Sequence, residues 1–127
     1  MIVLDASVLI AHLDGDDQHH ANALSLLEAN SHESLGASPI TLAETLVSPA
    51  RAGRLADAET ALQQLGVDEL ALGESAPGRL AQLRTETGLK LRDCCVLLAA
   101  QDHDAHVATF DTDLLNAAHK LGLVTAE

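Results

Sequence analysis

Five short apolar runs, IVLD (2–5), SLGAS (34–38), DELAL (68–72), HVATF (106–110) and LVTA (123–126), are separated by stretches that each read as one or two helices. Strands that alternate with helices in this way imply a mostly parallel sheet covered on both faces. No internal repeat, low-complexity tract or linker interrupts the alternation. The expectation is one α/β domain over 1–127, with a twisted, mostly parallel sheet of four to five strands flanked by helices. A chain of 127 residues is near the commonest domain size and can bury one substantial core.

The helical segments carry their own punctuation. ASVLIAHL follows the first run directly, and HHANALSLLEA (19–29) forms a second helix with Asp16 or Asp17 near its cap. Ser38-Pro39 opens PITLAETLVSPARAG with a serine N-cap and a proline at the first helical position. This helix is expected to slow at Ser48-Pro49 and to stop by Gly53. LADAETALQQL (55–65) closes at Gly66, APGRLAQLRTETG ends at Gly88, and DCCVLLAAQDH (93–103) and TDLLNAAHKLG complete the set.

Trp and Tyr are absent and Phe110 is the only aromatic residue, so the core must be aliphatic. The same scarcity removes the aromatic platforms on which many single-strand nucleic-acid binders stack bases. No apolar stretch approaches the roughly 20 residues of a membrane span, and no basic segment precedes an apolar one at the start of the chain. Cys94 and Cys95 are adjacent within a helical segment and cannot staple distant parts of the chain. A reducing, cytoplasmic setting without membrane contact is expected.

A net charge of −12 argues against broad electrostatic affinity for nucleic acid, since phosphate contacts draw mainly on Lys and Arg. The charge is uneven. Arg51, Arg54, Arg79, Arg84, Lys90 and Arg92 balance six acids between residues 51 and 92, and the remainder holds one lysine against 13 acids. A locally steered nucleic-acid contact stays open, while the acidic remainder suits cations or a basic protein partner.

Ligand crevices in open parallel sheets lie beyond the carboxyl ends of the strands. Asp5 stands where the first apolar run ends, and Asp111 just after the fourth. Either alone could simply cap the helix that follows it. Glu44 lies on a helix that is apolar nearly all round, with Ile40, Val47 and Ser48 as neighbours, and is too far from Ser38 to cap its start; it wants a counter-charge. Asp93 opens an apolar helix, where an acid in the first turn is favourable against the helix dipole. Together the four change the balance, because carboxylates about 4 Å apart repel by roughly 4 kcal/mol per pair at an effective dielectric of 20. Hard oxygen donors with no obligatory Cys or His point to Mg²⁺ or Mn²⁺ rather than zinc. Such ions serve phosphate chemistry.

DDQHH (16–20) and DHDAH (102–106) are weaker as metal sites. His19 and His20 point about 100° apart on a helix, and the spacing of His103 and His106 near Cys94 and Cys95 matches no established zinc finger. These are read as solvated loop and cap residues, and the cysteines as small core side chains.

The segments D-A-S, S-P-I-T-L-A-E, L-x-x-x-D-C-C-V-L-L-A-A and A-T-F-D-T-D-L, in this order over nearly the whole chain, resemble the PIN-domain family of ribonucleases. Within it, the chain is similar to bacterial VapC-type toxins of toxin–antitoxin pairs. The resemblance implies a parallel sheet flanked by helices and an acidic pocket for one or two Mg²⁺ or Mn²⁺ ions. It places the catalytic and metal-holding carboxylates at Asp5, Glu44, Asp93 and Asp111, with Ser7 and Thr109 in supporting positions. Asp113 would support the site or act as an alternative ligand, although a solvent-facing acid in a first helical turn is its plainer reading. Many relatives carry proline before the third aspartate, where this chain has Arg92, a residue placed to contact RNA phosphate or to pair with an acid. The implied activity is endonucleolytic hydrolysis of RNA by metal-activated water. Implied partners are RNA, a cognate antitoxin and a second copy in a homodimer. Two other classes stand beside it. One is a catalytically silent PIN-like module that binds RNA or protein. The other is an aspartyl-phosphate hydrolase, disfavoured because the position two after Asp5 is Ser7 rather than an acid.

Overall fold

The computed structural model describes residues 1–126. Four strands form one parallel sheet in the order β3-β2-β1-β4, with β1 at Ile2–Leu4, β2 at Leu35–Ala37, β3 at Val67–Glu69 and β4 at His106–Ala108. Ile2 pairs with Leu35 on one side and His106 on the other, so β1 is an interior strand. All three residues of β1 are fully buried, as expected of a strand covered on both faces.

The pleat sends alternate side chains of β1 into different halves of the core. Ile2 and Leu4 join Ala108 beneath α1 (Ala6–Leu13), α2 (His20–Ala29) and α4 (Leu55–Leu65). Val3 joins Val107 beneath α5 (Ala76–Thr87), α6 (Leu91–His103) and α7 (Thr112–Lys120). The core is aliphatic, and both cysteines are buried in it with free thiols. The helix α3 (Pro39–Arg51) starts at Ser38, whose hydroxyl accepts from the Thr41 amide at 3.1 Å. α4 ends where Gly66 takes a left-handed conformation at φ 83°, which glycine adopts without the Cβ penalty.

The expected elements recur, with local corrections. Helix α3 does not falter at Ser48-Pro49 but runs through Pro49 and ends two residues later, at Arg51. Asp17 lies near the cap of α2, as expected, without being the N-cap itself. His19 holds the cap position, and Asp17 instead accepts the His19 amide in the preceding turn at 2.8 Å. The third strand is Val67–Glu69 rather than 68–72. Leu70 leaves the ladder after one bond from its amide to the Ala37 carbonyl, and its buried side chain covers Gly36. The run at 123–126 adds one bridge, between Val107 and Thr125, rather than a fifth strand.

Candidate active site

The acids gather where β1 and β4 end. Asp5 follows β1, and its amide donates to the Ala108 carbonyl of β4 at 3.1 Å. Its side chain is 5% exposed and caps α1, with Oδ1 accepting from the Val8 amide at 3.2 Å and from the Ser7 hydroxyl at 2.6 Å. Oδ2 accepts from the Thr109 hydroxyl. The Thr109 oxygen in turn receives the Asp111 amide at 2.9 Å, and the Ser7 oxygen receives the Phe110 amide at 3.0 Å. Two hydroxyls thus tie the ends of β1 and β4 into one closed circuit around the Asp5 carboxylate.

Asp111 caps α7, its Oδ1 accepting from the Asp113 and Leu114 amides at 2.9 and 3.1 Å. Both strand-end aspartates are therefore helix caps as well as members of this acidic group. Asp113 is an exposed acid in the first turn of α7, yet its charge reaches Asp93.

Glu44 and Asp93 come from α3 and α6, which pack against each other. The counter-charge that Glu44 demands is Arg92, whose Nε lies 3.4 Å from Glu44 Oε2. Burial pushes the carboxyl groups of Asp5, Glu44 and Asp93 above their ordinary range. Hydrogen bonds from Ser7, Thr109 and the Val8 amide oppose the rise at Asp5, while the charge of Asp111 adds to it. At Glu44 the guanidinium of Arg92 opposes the rise and the charges of Asp93 and Asp5 reinforce it. At Asp93 the charges of Asp111 and Asp113 raise, while Arg92 and Lys90 lower. The four acids expected from the sequence thus feel one another electrostatically.

They do not close around a point. Among the described residues, no three His, Cys, Asp or Glu side chains are grouped tightly enough to hold one ion. Their engagements explain this: Asp111 is turned to its helix amides and Glu44 to Arg92. Mutual repulsion of several kcal/mol per close pair also favours separation. The donor set itself, four carboxylates with two hydroxyls beside Asp5, fits a hard divalent cation.

Some contacts at this edge have no counterpart in the sequence reading. His19 stacks on Phe110 with ring centroids 4.8 Å apart, a pairing across 91 positions that no local signal marks. Of the discounted clusters, Asp102 pairs with Arg79 and His20 lies against the Ala11 carbonyl at 2.6 Å.

In class, this is an α/β domain with an acidic pole at the carboxyl edge of a parallel sheet. It belongs to the PIN domain family, whose model matches residues 2–120. The chain is similar to a chain of a toxin–antitoxin complex from Klebsiella pneumoniae, with 26% identity, a TM-score of 0.78, and coverage of 98% of this chain and 97% of that one. It shares its fold with FitAcB from Neisseria gonorrhoeae (22% identity, TM-score 0.74, 100% and 97% covered). It also shares it with a sarcin–ricin-loop-cleaving VapC toxin of Mycobacterium tuberculosis (17% identity, TM-score 0.70, 92% and 95% covered). A search of curated proteins finds no match. No helix among the described residues is long and apolar enough to cross a membrane.

Proposed function

We propose that the chain is a metal-dependent endoribonuclease, the toxin of a VapBC-type pair, over the whole span 1–127. The observation that carries this reading is the circuit binding Asp5 to Thr109 and Asp111, with Glu44 and Asp93 coupled to it by charge. The likeness to the Klebsiella pneumoniae complex supports the toxin role and an antitoxin partner, and homodimerisation and a cytoplasmic setting belong to the same reading.

Asp5, Glu44, Asp93 and Asp111 would hold Mg²⁺ or Mn²⁺. The bound ion supplies charge stabilisation to the phosphoryl oxygens and lowers the pKa of an attacking water. The chain's own residues do the positioning. Ser7 and Thr109 fix both oxygens of Asp5, so its carboxylate cannot rotate away from the edge. The α1 and α7 amides hold Asp5 and Asp111 at the strand ends. Arg92, half exposed beside Glu44, is placed to receive an RNA phosphate.

The test is cleavage of a panel of tRNA and rRNA fragments with Mg²⁺ or Mn²⁺, beside Asp5→Asn, Asp93→Asn and EDTA. Cleavage by the wild type alone is the expected result. Activity that survives both substitutions or chelation overturns the mechanism. RNA binding without any cleavage makes the chain a silent binding module instead.

A further inference from the structure

A net charge of −12 leaves this chain poorly equipped to hold RNA through its phosphates. If it binds and cuts RNA, as the preceding reading requires, contacts to bases must supply much of the hold. A cavity of about 520 Å³ opens beside the acidic edge, between α2 and α7 and outside β4. Its volume lies within the range of small-ligand pockets. Two of its lining residues, Thr109 and Phe110, are the stretch that ties β4 to Asp5: Thr109 donates to the carboxylate, and the Phe110 amide bonds to Ser7. The cavity and the acids therefore share a wall.

That wall carries Phe110, the only Phe, Tyr or Trp in the chain. Phe110 lines the cavity, and His19 stacks on its ring with centroids 4.8 Å apart. Around it the lining mixes aliphatic side chains with polar ones, Asn22 and Ser25 from α2 and the His119–Thr125 pair, 3.1 Å apart. A flat π-surface with a few hydrogen-bonding groups at its edge is what a splayed-out base of single-stranded RNA requires. We propose that this cavity receives one nucleobase of a single-stranded RNA substrate, stacked on Phe110 and read at its edge by Asn22 and Ser25. The nucleotide it takes lies at a fixed step from the scissile phosphate, because the ring precedes Asp111 by one residue. Sequence preference at that step then arises in the cavity and not among the acids.

The test combines substrate and protein changes. Single abasic residues are walked along a cleavable oligonucleotide, and steady-state kinetics are measured for the wild type, Phe110→Leu and Asn22→Ala. Phe110→Leu keeps an apolar side chain against the core, and Asn22→Ala lies on an exposed helix face, so a failure to fold does not mask the result. Loss of one stacked base corresponds to about a five- to hundredfold change. The expected result is one abasic position that raises KM by such a factor with little effect on kcat. At that position Phe110→Leu should add no further loss, and Asn22→Ala should alter the preference among the four bases. An abasic effect of equal size in wild type and Phe110→Leu overturns the pocket while leaving the ribonuclease reading intact. A wild type that neither binds nor cuts any RNA overturns the ribonuclease reading, and the pocket with it.

Discussion

Arg92 Nε stands 3.4 Å from Glu44 Oε2, so a cation of the chain itself answers the one carboxylate on α3. The pair is half exposed, with side-chain exposures of 50% and 29%, and its own contribution to stability is at most about 1 kcal/mol. Its larger effect is to hold positive charge beside Glu44, one of the acids proposed to bind a divalent ion. Arg92→Gln is expected to change the melting temperature little and to tighten Mn²⁺ binding several-fold in calorimetry, with a higher KM for RNA. Weaker Mn²⁺ binding in this variant would show that Arg92 organises the acids rather than competing for them.

Asp5 is buried among other acids, and its burial pushes the carboxyl up. Asp5→Asn keeps an oxygen to accept from Ser7 and Val8 and removes the repulsion. Without metal the variant is expected to melt no lower than the wild type, while RNA cleavage falls at least about 100-fold, roughly the effect of removing one group that stabilises transition-state charge. A clear drop in melting temperature would mean that the hydrogen bonds to the ionised carboxylate outweigh its desolvation.

The raised pKa values of Asp5, Glu44 and Asp93 set a pH dependence. Between the ordinary carboxylate range and these raised values the folded chain holds more protons than the unfolded one. Stability therefore falls as pH rises through that interval, and returns on acidification. His12 works in the opposite direction: burial lowers its pKa, so stability is lost as pH drops below the usual imidazole range. Comparing metal-free wild type with Asp5→Asn from mildly acidic to neutral pH isolates the carboxylate part. The gap between the two melting temperatures should widen toward neutral pH in favour of the variant; a constant gap counts against a raised Asp5.

Thr109 serves two partners, donating to Asp5 and accepting from the Asp111 amide. Thr109→Val leaves both unmet at nearly constant volume, a loss of about 1–3 kcal/mol by urea unfolding. Since the Thr109 bond lowers the Asp5 carboxyl, its removal should push that group further up and make Mn²⁺ binding weaken at a higher pH than in wild type. An unchanged pH profile would confine Thr109 to a structural role.

Gly36 in β2 admits Leu70 where a side chain would not fit: a Cβ there would lie 2.6 Å from Leu70 Cδ1 and 2.9 Å from Cγ. Leu70 is 6% exposed and has little room to retreat. Gly36→Ala is expected to cost about 1–3 kcal/mol, the usual range for overpacking. In a Leu70→Ala background the same change should cost far less, which a double-mutant cycle of urea midpoints would measure.

Elements whose ends are marked by local chemistry were readable in the sequence. α1 and α4 fall at Ala6–Leu13 and Leu55–Leu65, as the aspartate cap and Gly66 indicate. The parallel alternation was equally plain, because a strand buried on both faces must be apolar throughout and a helix between strands must carry its own period. The failures lie where tertiary packing overrode propensity. The third strand ends at Glu69, earlier than DELAL implies, because Leu70, apolar enough for a strand, covers Gly36. The last run looked like a strand, yet it lies against β4 for a single bridge.

The same division runs through the candidate site. Four acids at the ends of four motifs could be named from the sequence alone, since a carboxylate beside an apolar run is costly unless something answers it. What answers each one depended on the fold. Asp5 meets Thr109 across 104 positions, Glu44 meets Arg92 from another helix, and His19 finds Phe110 only when α2 is laid beside the end of β4. Residue type and spacing determined which groups carry charge and where each local element begins. Only the closing of the sheet decided whether a given aspartate is a helix cap alone or also meets other acids, because a local pattern records neighbours along the chain and not those across it.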